Sequence, residues 1–344
     1  MMNYTLSVFR GSESGEITQD QISRSLSSNE VLLEITHASI CGTDDIYLQS
    51  SQALGHEGVG IVRKKSAGVR SVSVGDRVGV CYIQKVCGKC DLCISGWNQY
   101  CQERKRYGAD QPQQGCLGDQ AIWSAGTLIP IPKSYSSSHA AACMCGGATA
   151  WTVLTKYNIQ PGQRVGVIGV GGMGHLAVKL SAALGYETVV FSRSFSKRED
   201  CTEFGAKEFH ILRKEGLSDD GSASSRKFQP VDHLLVCSSA PEDFSMLMKL
   251  VATHGTIYPL TVSLHSVSVP LLAMIDRGIR IQGSLTASTD SIAQMLEFCN
   301  ENHVYPKIKA LSMNREGIER AFQSMKDGQV RYKTILVKDA CDSE

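Results

Sequence analysis

Val165-Gly166-Val167-Ile168-Gly169-Val170-Gly171-Gly172-Met173-Gly174-His175-Leu176-Ala177-Val178 is the stretch that decides the fold. Val165–Ile168 is an apolar run of the length of a buried strand. From Gly172 to Leu184 the apolar residues recur at helical spacing, and the pattern stops at Gly185. Between them lies a G-x-G-x-x-G. That pattern is weak alone, but between a strand and a helix it has the context a dinucleotide site needs. Gly169 permits the tight turn, Gly171 lets backbone approach a pyrophosphate, and Gly174 lets the helix pack on the strand. Gly172 and Met173 open the helix, whose unpaired N–H groups and positive dipole end suit phosphate.

The chain around this loop keeps the same rhythm. Thr188–Phe191, Leu234–Cys237 and Thr256–Leu260 read as further buried strands, and Lys197–Phe204 as a helix that ends at Gly205. Strands alternating with helices predict βαβ units around a doubly wound parallel sheet. Arg213–Gln229 is polar and Ser-rich and reads as a surface loop. Upstream of residue 145 the texture is β-rich, with Val31–Ile35 and Gly75–Val80 as short runs bounded by turn residues. Asp290–Asn300 and Arg315–Met325 read as helices, and Arg331–Val337 as a last strand.

The strand after the loop speaks to cofactor choice. An NAD site places an acidic residue about 20 positions beyond the glycines. Here Ser192-Arg193-Ser194 stands there, followed by Lys197 and Arg198, and no carboxylate occurs before Glu199. Hydroxyl donors and cations suit a 2′-phosphate, so the expected cofactor is NADP(H). The alternative is that Arg193 and Lys197 are solvated surface charges.

The 344 residues give room for two domains, and a net charge of +1 offers no whole-chain attraction to nucleic acid or an acidic membrane surface. No apolar run approaches the ~20 residues that span a bilayer. Met1–Ser14 lacks the apolar core of a signal peptide, so a cytoplasmic protein is expected. The 13 cysteines then read as metal ligands or free thiols rather than as a disulfide framework. Cys87, Cys90, Cys93 and Cys101 can wrap one tetrahedral ion, and thiolates at this spacing suit a closed structural zinc site. An iron–sulfur cluster would use the same ligands. A nucleic-acid zinc finger is a separate alternative, since Lys85, Lys89, Arg104, Lys105 and Arg106 lie nearby.

Three more segments complete the pattern: Cys41-Gly42-Thr43-Asp44, Gly55-His56-Glu57-Gly58, and Cys143-Met144-Cys145-Gly146-Gly147-Ala148-Thr149-Ala150. With the cysteine cluster and the glycine loop, and in this order, they resemble the zinc-containing medium-chain alcohol dehydrogenases. The likeness is to the cinnamyl-alcohol-dehydrogenase-like, NADP-using branch, which Ser192-Arg193-Ser194 and Val330-Arg331-Tyr332-Lys333 also resemble. The resemblance implies a GroES-like β-rich catalytic domain at 1–147 and 285–344 with a Rossmann domain inserted at 148–284. It implies two zinc ions per chain and NADP(H), with hydride passing between the cofactor and an alcohol/aldehyde or ketone pair. Cys41, His56 and Cys145 would bind the catalytic zinc, with Cys143 as the competing thiol. Glu57 matches a carboxylate that can approach that metal, Asp44 a residue that orients His56, and Thr43 the hydroxyl that receives the substrate proton. A small-molecule substrate and a homodimer, without nucleic acid or membrane, are implied as well.

One position departs from the family. Where a relay histidine often stands two residues after the aspartate, this chain has Ile46, which carries no proton. Asp45, the cofactor ribose or water would then finish the relay. The departure also keeps open an NADPH-dependent reductase of an iminium or activated C=C bond. Trp97, Trp123 and Trp151 could line a pocket or simply fill the core.

Overall fold

A computed structural model describes residues 3–213, 216–218, 228–238, 243–263 and 266–338, with the backbone alone for 216–218. The chain divides into two compact units, Met1–Ala148 with Thr286–Glu344, and Thr149–Leu285.

The second unit is built on one sheet. Its strands run in the order Gly216–Ser218, Glu208–Arg213, Glu187–Ser192, Arg164–Ile168, Val231–Val236, Val251–Pro259, Arg280–Ile281. All neighbours are parallel except the first pair, which is antiparallel. Helices cover strands like these on both faces, which is why Val165, Val167, Val189, Val190, Leu234 and Leu235 are all fully buried and the runs read as continuously apolar. The chain order reverses on either side of Arg164–Ile168, and such a reversal leaves a crevice at the carboxyl ends of the strands. The glycine loop leaves the sheet at that end. Part of the stretch read as a Ser-rich loop is the Gly216–Ser218 strand, while 214–215 and 219–227 lie outside the described residues.

The first unit centres on a mostly antiparallel sheet ordered Ile308–Ser312, Lys333–Val337, Glu30–Ser39, Glu57–Lys65, Arg77–Val80, Ile129–Pro130, with Gln120–Ser124 also paired to Glu30–Ser39. Leu33, Ile35, Val62, Val78, Val80, Trp123 and Leu336 meet in its core. The helix Arg315–Lys326 docks there through Ile318, Ala321 and Phe322, the i, i+3, i+4 stripe of an amphipathic helix. Truncating Phe322 to alanine would cost about 3–5 kcal/mol on general grounds. Trp123 is thus a core residue, and so is its neighbour Ile122.

Register in this sheet decides what happens at its rim. Ser39 lies opposite Glu57, and Ile335 lies opposite Ser39. Both pairings are antiparallel, so continuing them brings Cys41 beside Gly55 and His56 on one side and beside Lys333 on the other. Residues 15 and 292 positions apart from Cys41 therefore converge because three strand ends coincide. The Glu30–Ser39 strand must be long for this. It runs four residues past the Val31–Ile35 segment that the apolar pattern marks and ends at Ser39, two positions before Cys41.

Candidate metal centres and cofactor loop

Cys41 is the N-cap of the short helix Gly42–Ile46. Its sulfur accepts from the Thr43 N–H at 3.4 Å, and its own N–H donates to Asp44 Oδ2 at 3.0 Å. This reciprocal cap fixes both side chains at once. The other Asp44 oxygen, Oδ1, takes His56 Nδ1 at 2.9 Å, which turns His56 Nε2 toward Cys41 Sγ at 3.3 Å. Cys145 follows the helix Ser137–Cys143 and joins the group. One donor atom each from Cys41, His56, Glu57 and Cys145 lie within 4.8 Å of one another.

The donor set fits zinc. A tetrahedral ion with sulfur and nitrogen arms separates those atoms by about 3.6 Å, close to the Cys41–His56 spacing. His56 and Glu57 are fully buried, whereas Cys41 and Cys145 are half-buried, so the thiolate side of the centre is the accessible one. Glu57 lies behind. Its Oε2 takes the ammonium of buried Lys333, which also donates to the Ile40 carbonyl at 3.3 Å. Its Oε1 has no hydrogen-bond partner and stands 3.9 Å from His56 Nε2. A buried carboxylate oxygen left open beside a thiol–imidazole group is what a nearby cation would complete.

The electrostatics agree. The hydrogen bond from Cys145 holds the Cys41 thiol well below its ordinary range, helped by His56 and Lys333 and opposed by burial. The same bond pushes Cys145 up, so the pair favours one thiolate even without an ion. Burial raises Glu57 to about 7, against the pull of Lys333. Lys333 is itself held above the usual lysine range: burial works against its charge, and Glu57 and Cys41 outweigh it.

The second cluster is closed. Sulfur separations are 3.6 Å for Cys90–Cys93, 3.6 Å for Cys87–Cys101 and 3.9 Å for Cys87–Cys93. A tetrahedron of zinc–sulfur bonds has edges of about 3.8 Å. All four thiols are unbridged, and the backbone N–H groups of Lys89 and Cys90 draw Cys87 down to about 6. Four thiols at tetrahedral spacing leave no open position, which suits a structural ion rather than a catalytic one.

In the second unit, Gly169 follows the Arg164–Ile168 strand at φ +83°, a backbone that disfavours any side chain. A Cβ on Gly174 would meet the Gly169 carbonyl oxygen at 1.9 Å, so the helix packs on the turn only with glycine there. A Cβ on Gly171 would meet nothing within 4 Å, which leaves open space where a phosphate would approach. Gly171 caps the helix Gly172–Ala183 with no side chain of its own. Ser192 ends the neighbouring strand, Arg193 is exposed, and Lys197 Nζ reaches back to the Val170 carbonyl at 2.5 Å. Lys197 thus brings a cation onto the glycine loop, beside a strand that ends on Ser192.

Two family models match separate stretches of the chain. Residues 27–133 match a family model described as an alcohol dehydrogenase GroES-like domain, and residues 172–301 one described as a zinc-binding dehydrogenase. The "Probable cinnamyl alcohol dehydrogenase 1" of Oryza sativa subsp. japonica is 30% identical over 331 residues, covering 91% of this chain and 90% of that protein. The chain belongs to the zinc-containing medium-chain alcohol dehydrogenases. The "NADP-dependent alcohol dehydrogenase C 1" of Mycolicibacterium smegmatis is 28% identical over 96% of this dehydrogenase and 97% of its own length. A cinnamyl alcohol dehydrogenase from Sorghum bicolor has a similar structure, with TM-score 0.87, 26% identity and 99% of both chains covered.

This dehydrogenase brings together Cys41, Asp44, His56, Glu57 and Cys145 around one centre. It leaves Cys143 out: that thiol is buried against the Tyr135 hydroxyl at 3.7 Å. Thr43 is half-buried on the capping turn. Asp45, considered for the relay, is ion-paired with Lys326 at 3.3 Å, and Ile46 is 47% exposed at the end of the same helix. Sequence reasoning assigned no role to Lys333 or to Tyr107, whose ring packs on the His56 imidazole at 4.7 Å between centroids. The available signal for Lys333 was a lysine opening the apolar run Ile335-Leu336-Val337. Tyr107, on the far side of the cysteine loop, offered none.

Proposed function

We propose that this member of the family is an NADP(H)-dependent alcohol dehydrogenase or aldehyde reductase. The observation that carries the reading is the Cys41–His56–Cys145 donor set, with Asp44 fixing His56 and the accessible side left to sulfur. Cys41, His56 and Cys145 would hold the catalytic ion, and Cys87, Cys90, Cys93 and Cys101 the structural one. When bound, zinc supplies Lewis acidity toward a substrate oxygen, and NADP(H) supplies or takes the hydride.

The chain's own residues do the rest. Asp44 accepts from His56 Nδ1, so the neutral imidazole presents Nε2 as the ligand atom. Thr43 takes the alcohol proton at Oγ1 and passes it on. Ile46 carries no proton and Asp45 is ion-paired with Lys326, so we take water or the cofactor ribose as the next acceptor. Glu57, tied to Lys333, stays available near the centre without carrying an uncompensated charge. Gly169, Gly171, Gly172, Met173 and Gly174 would hold the pyrophosphate. Ser192, Arg193 and Lys197 would take the 2′-phosphate, and the NADP-dependent relative from Mycolicibacterium smegmatis supports that choice.

Among the described residues no helix is long and apolar enough to cross a membrane. We further propose a homodimer through the open edge of the parallel sheet. The helix Leu271–Arg277 beside that edge exposes Leu271 (62%), Leu272 (80%) and Ile275 (71%), more apolar surface than a lone edge strand favours. Sedimentation of Leu272→Asp/Ile275→Asp tests it, and an unchanged oligomeric state would refute it.

The activity is tested by NADPH oxidation with cinnamaldehyde and short aliphatic aldehydes, for wild type and Cys145→Ala. Turnover lost in the variant, with its fold retained, supports zinc-assisted carbonyl reduction. A zinc-loaded wild type that turns over none of the aldehydes would refute it and turn attention to iminium or C=C substrates.

A further inference from the structure

A hollow at the edge of the first unit's sheet has no part in the metal centre. Two strands and the helix over them supply its walls. Lys309 and Thr334 are register partners in the parallel strands Ile308–Ser312 and Lys333–Val337. Arg320 and Ser324 stand one turn apart on the same face of the helix Arg315–Lys326. Gln329 and Val330 follow that helix and, with Leu311, complete the lining of about 160 Å³. One water needs only ~10–15 Å³, so the hollow takes an ion of several atoms. Neighbouring side chains of a strand point to opposite faces. Lys333 turns to Glu57, so Thr334 turns the other way, to the face that the helix covers.

The polar lining is left open by the protein. Among the described residues the side chains of Lys309, Arg320, Ser324, Gln329 and Thr334 make no hydrogen bond or ion pair. Water serves the exposed Lys309 and Arg320, but Thr334 is only 4% exposed. Valine would fill that place on a covered strand with no hydroxyl to satisfy. Two cations, two hydroxyls and an amide therefore converge, and no carboxylate lines the hollow. Glu319 is paired with Arg315, and Asp327 accepts from the Gln323 amide. The carbonyls that end the helix are occupied too. Asp327 N–H goes to Gln323, Gln329 N–H to Ser324 and Gly328 N–H to Met325, at 3.0, 3.0 and 3.1 Å. The negative end of the helix thus presents few open acceptors to the hollow.

We propose that this hollow binds a dianionic phosphate group, either free phosphate or the end of a small phosphomonoester. Arg320 and Lys309 supply the charge, and Thr334, Ser324 and Gln329 supply neutral donors.

Equilibrium dialysis of radiolabelled phosphate tests it, on zinc-loaded protein saturated with NADP+ so that the cofactor loop is filled. One phosphate per chain should bind saturably at millimolar concentrations. Arg320→Gln and Lys309→Gln should each weaken binding about tenfold, the worth of one charge-assisted bond. Both side chains are exposed, so neither change disturbs the core. Thr334→Val should weaken it several-fold, with the volume kept. Unlabelled glycerol 3-phosphate separates the two sources. Displacement at lower concentration than unlabelled phosphate marks an ester site, and displacement only at higher concentration marks a site for the free ion. Acetate, with a single charge, should displace the label only at much higher concentration than either. The absence of saturable binding would overturn the proposal. So would an unchanged affinity in both Arg320→Gln and Lys309→Gln, which would put the ion at the zinc or the cofactor loop. Acetate competing as well as phosphate would overturn it too.

Discussion

Replacing Lys333 with methionine should destabilise the first unit severely, and restoring neutrality at Glu57 should recover most of the loss. Lys333 and Glu57 pair with side-chain exposures of 4% and 0%, so water screens neither charge. Zinc with two thiolates and an imidazole carries no net charge, which leaves Lys333 as the counter-charge to Glu57. Removing one partner of a buried pair strands the other and costs about 3–5 kcal/mol. Lys333 also donates to the Ile40 carbonyl, whose loss adds about 1 kcal/mol. Methionine fills the volume, so cavity formation contributes little. Lys333→Met/Glu57→Gln removes both charges, and neutral replacement of a buried pair is often close to neutral in stability. Urea unfolding of the zinc-loaded protein, followed by fluorescence of Trp123 in the core of the same unit, reads both variants. A loss under about 1 kcal/mol in Lys333→Met would refute the argument, because it would mean the pair is solvated. So would a double variant no more stable than the single one.

Four further outcomes are expected. Cys93→Ser should lower bound zinc from two ions to one per chain by elemental analysis and leave the Cys41 centre loaded; retention of both ions would mean the cluster does not depend on four thiolates. Arg193→Ala and Lys197→Ala should each raise the KM for NADPH about 10- to 100-fold and that for NADH little, since one lost charge-assisted bond to a phosphate is worth about 1.5–3 kcal/mol; equal effects on both cofactors would place these side chains off the 2′-phosphate. Gly174→Ala should abolish cofactor binding in a fluorescence titration, because the new Cβ falls 1.9 Å from the Gly169 oxygen; unchanged affinity would mean the helix shifts freely. Burial lowers the pKa of His233, with Asp232 opposing and Arg280 assisting, so the folded chain prefers it neutral. Its contribution to stability is present above the unfolded value of about 6.5 and is lost as pH falls below it. His233→Gln should therefore flatten the stability profile between pH 7 and pH 5, and an unchanged slope would refute the assignment.

The two halves of the molecule were legible to different degrees. The four central strands of the second unit were read from their pattern, because parallel strands buried on both faces must be apolar throughout and the glycine loop admits few other residues, whereas the outer strands Glu208–Arg213 and Arg280–Ile281 and the helices Phe244–Leu250 and Leu271–Arg277 were not. Strand ends moved little for Thr188–Phe191 against the observed Glu187–Ser192, and more where polar residues lead in, as with Thr256–Leu260 against Val251–Pro259. The stretch read as one polar loop after Arg213 partly returns as an antiparallel edge strand, which a three-residue segment gives no period to reveal. In the first unit the strand Glu30–Ser39 extends well beyond its apolar signal. His37 and Ser39 are buried polar residues there, and a pattern of hydrophobicity passes over them.

By itself the sequence determined which residues can bind metal, since close-spaced cysteines and separated Cys, His and Glu segments are local chemical facts. It also determined the dinucleotide loop, because a tight turn under a helix N-terminus needs glycine at fixed spacing. Only the tertiary structure decided which groups support those ligands. Lys333 reaches Glu57, and the Tyr107 ring packs on His56, through strand register and a loop path that bring positions 276 and 51 residues apart into contact. No local pattern records such pairs: a single lysine or tyrosine has no period, and its burial follows from the pairing of strands far away in the chain.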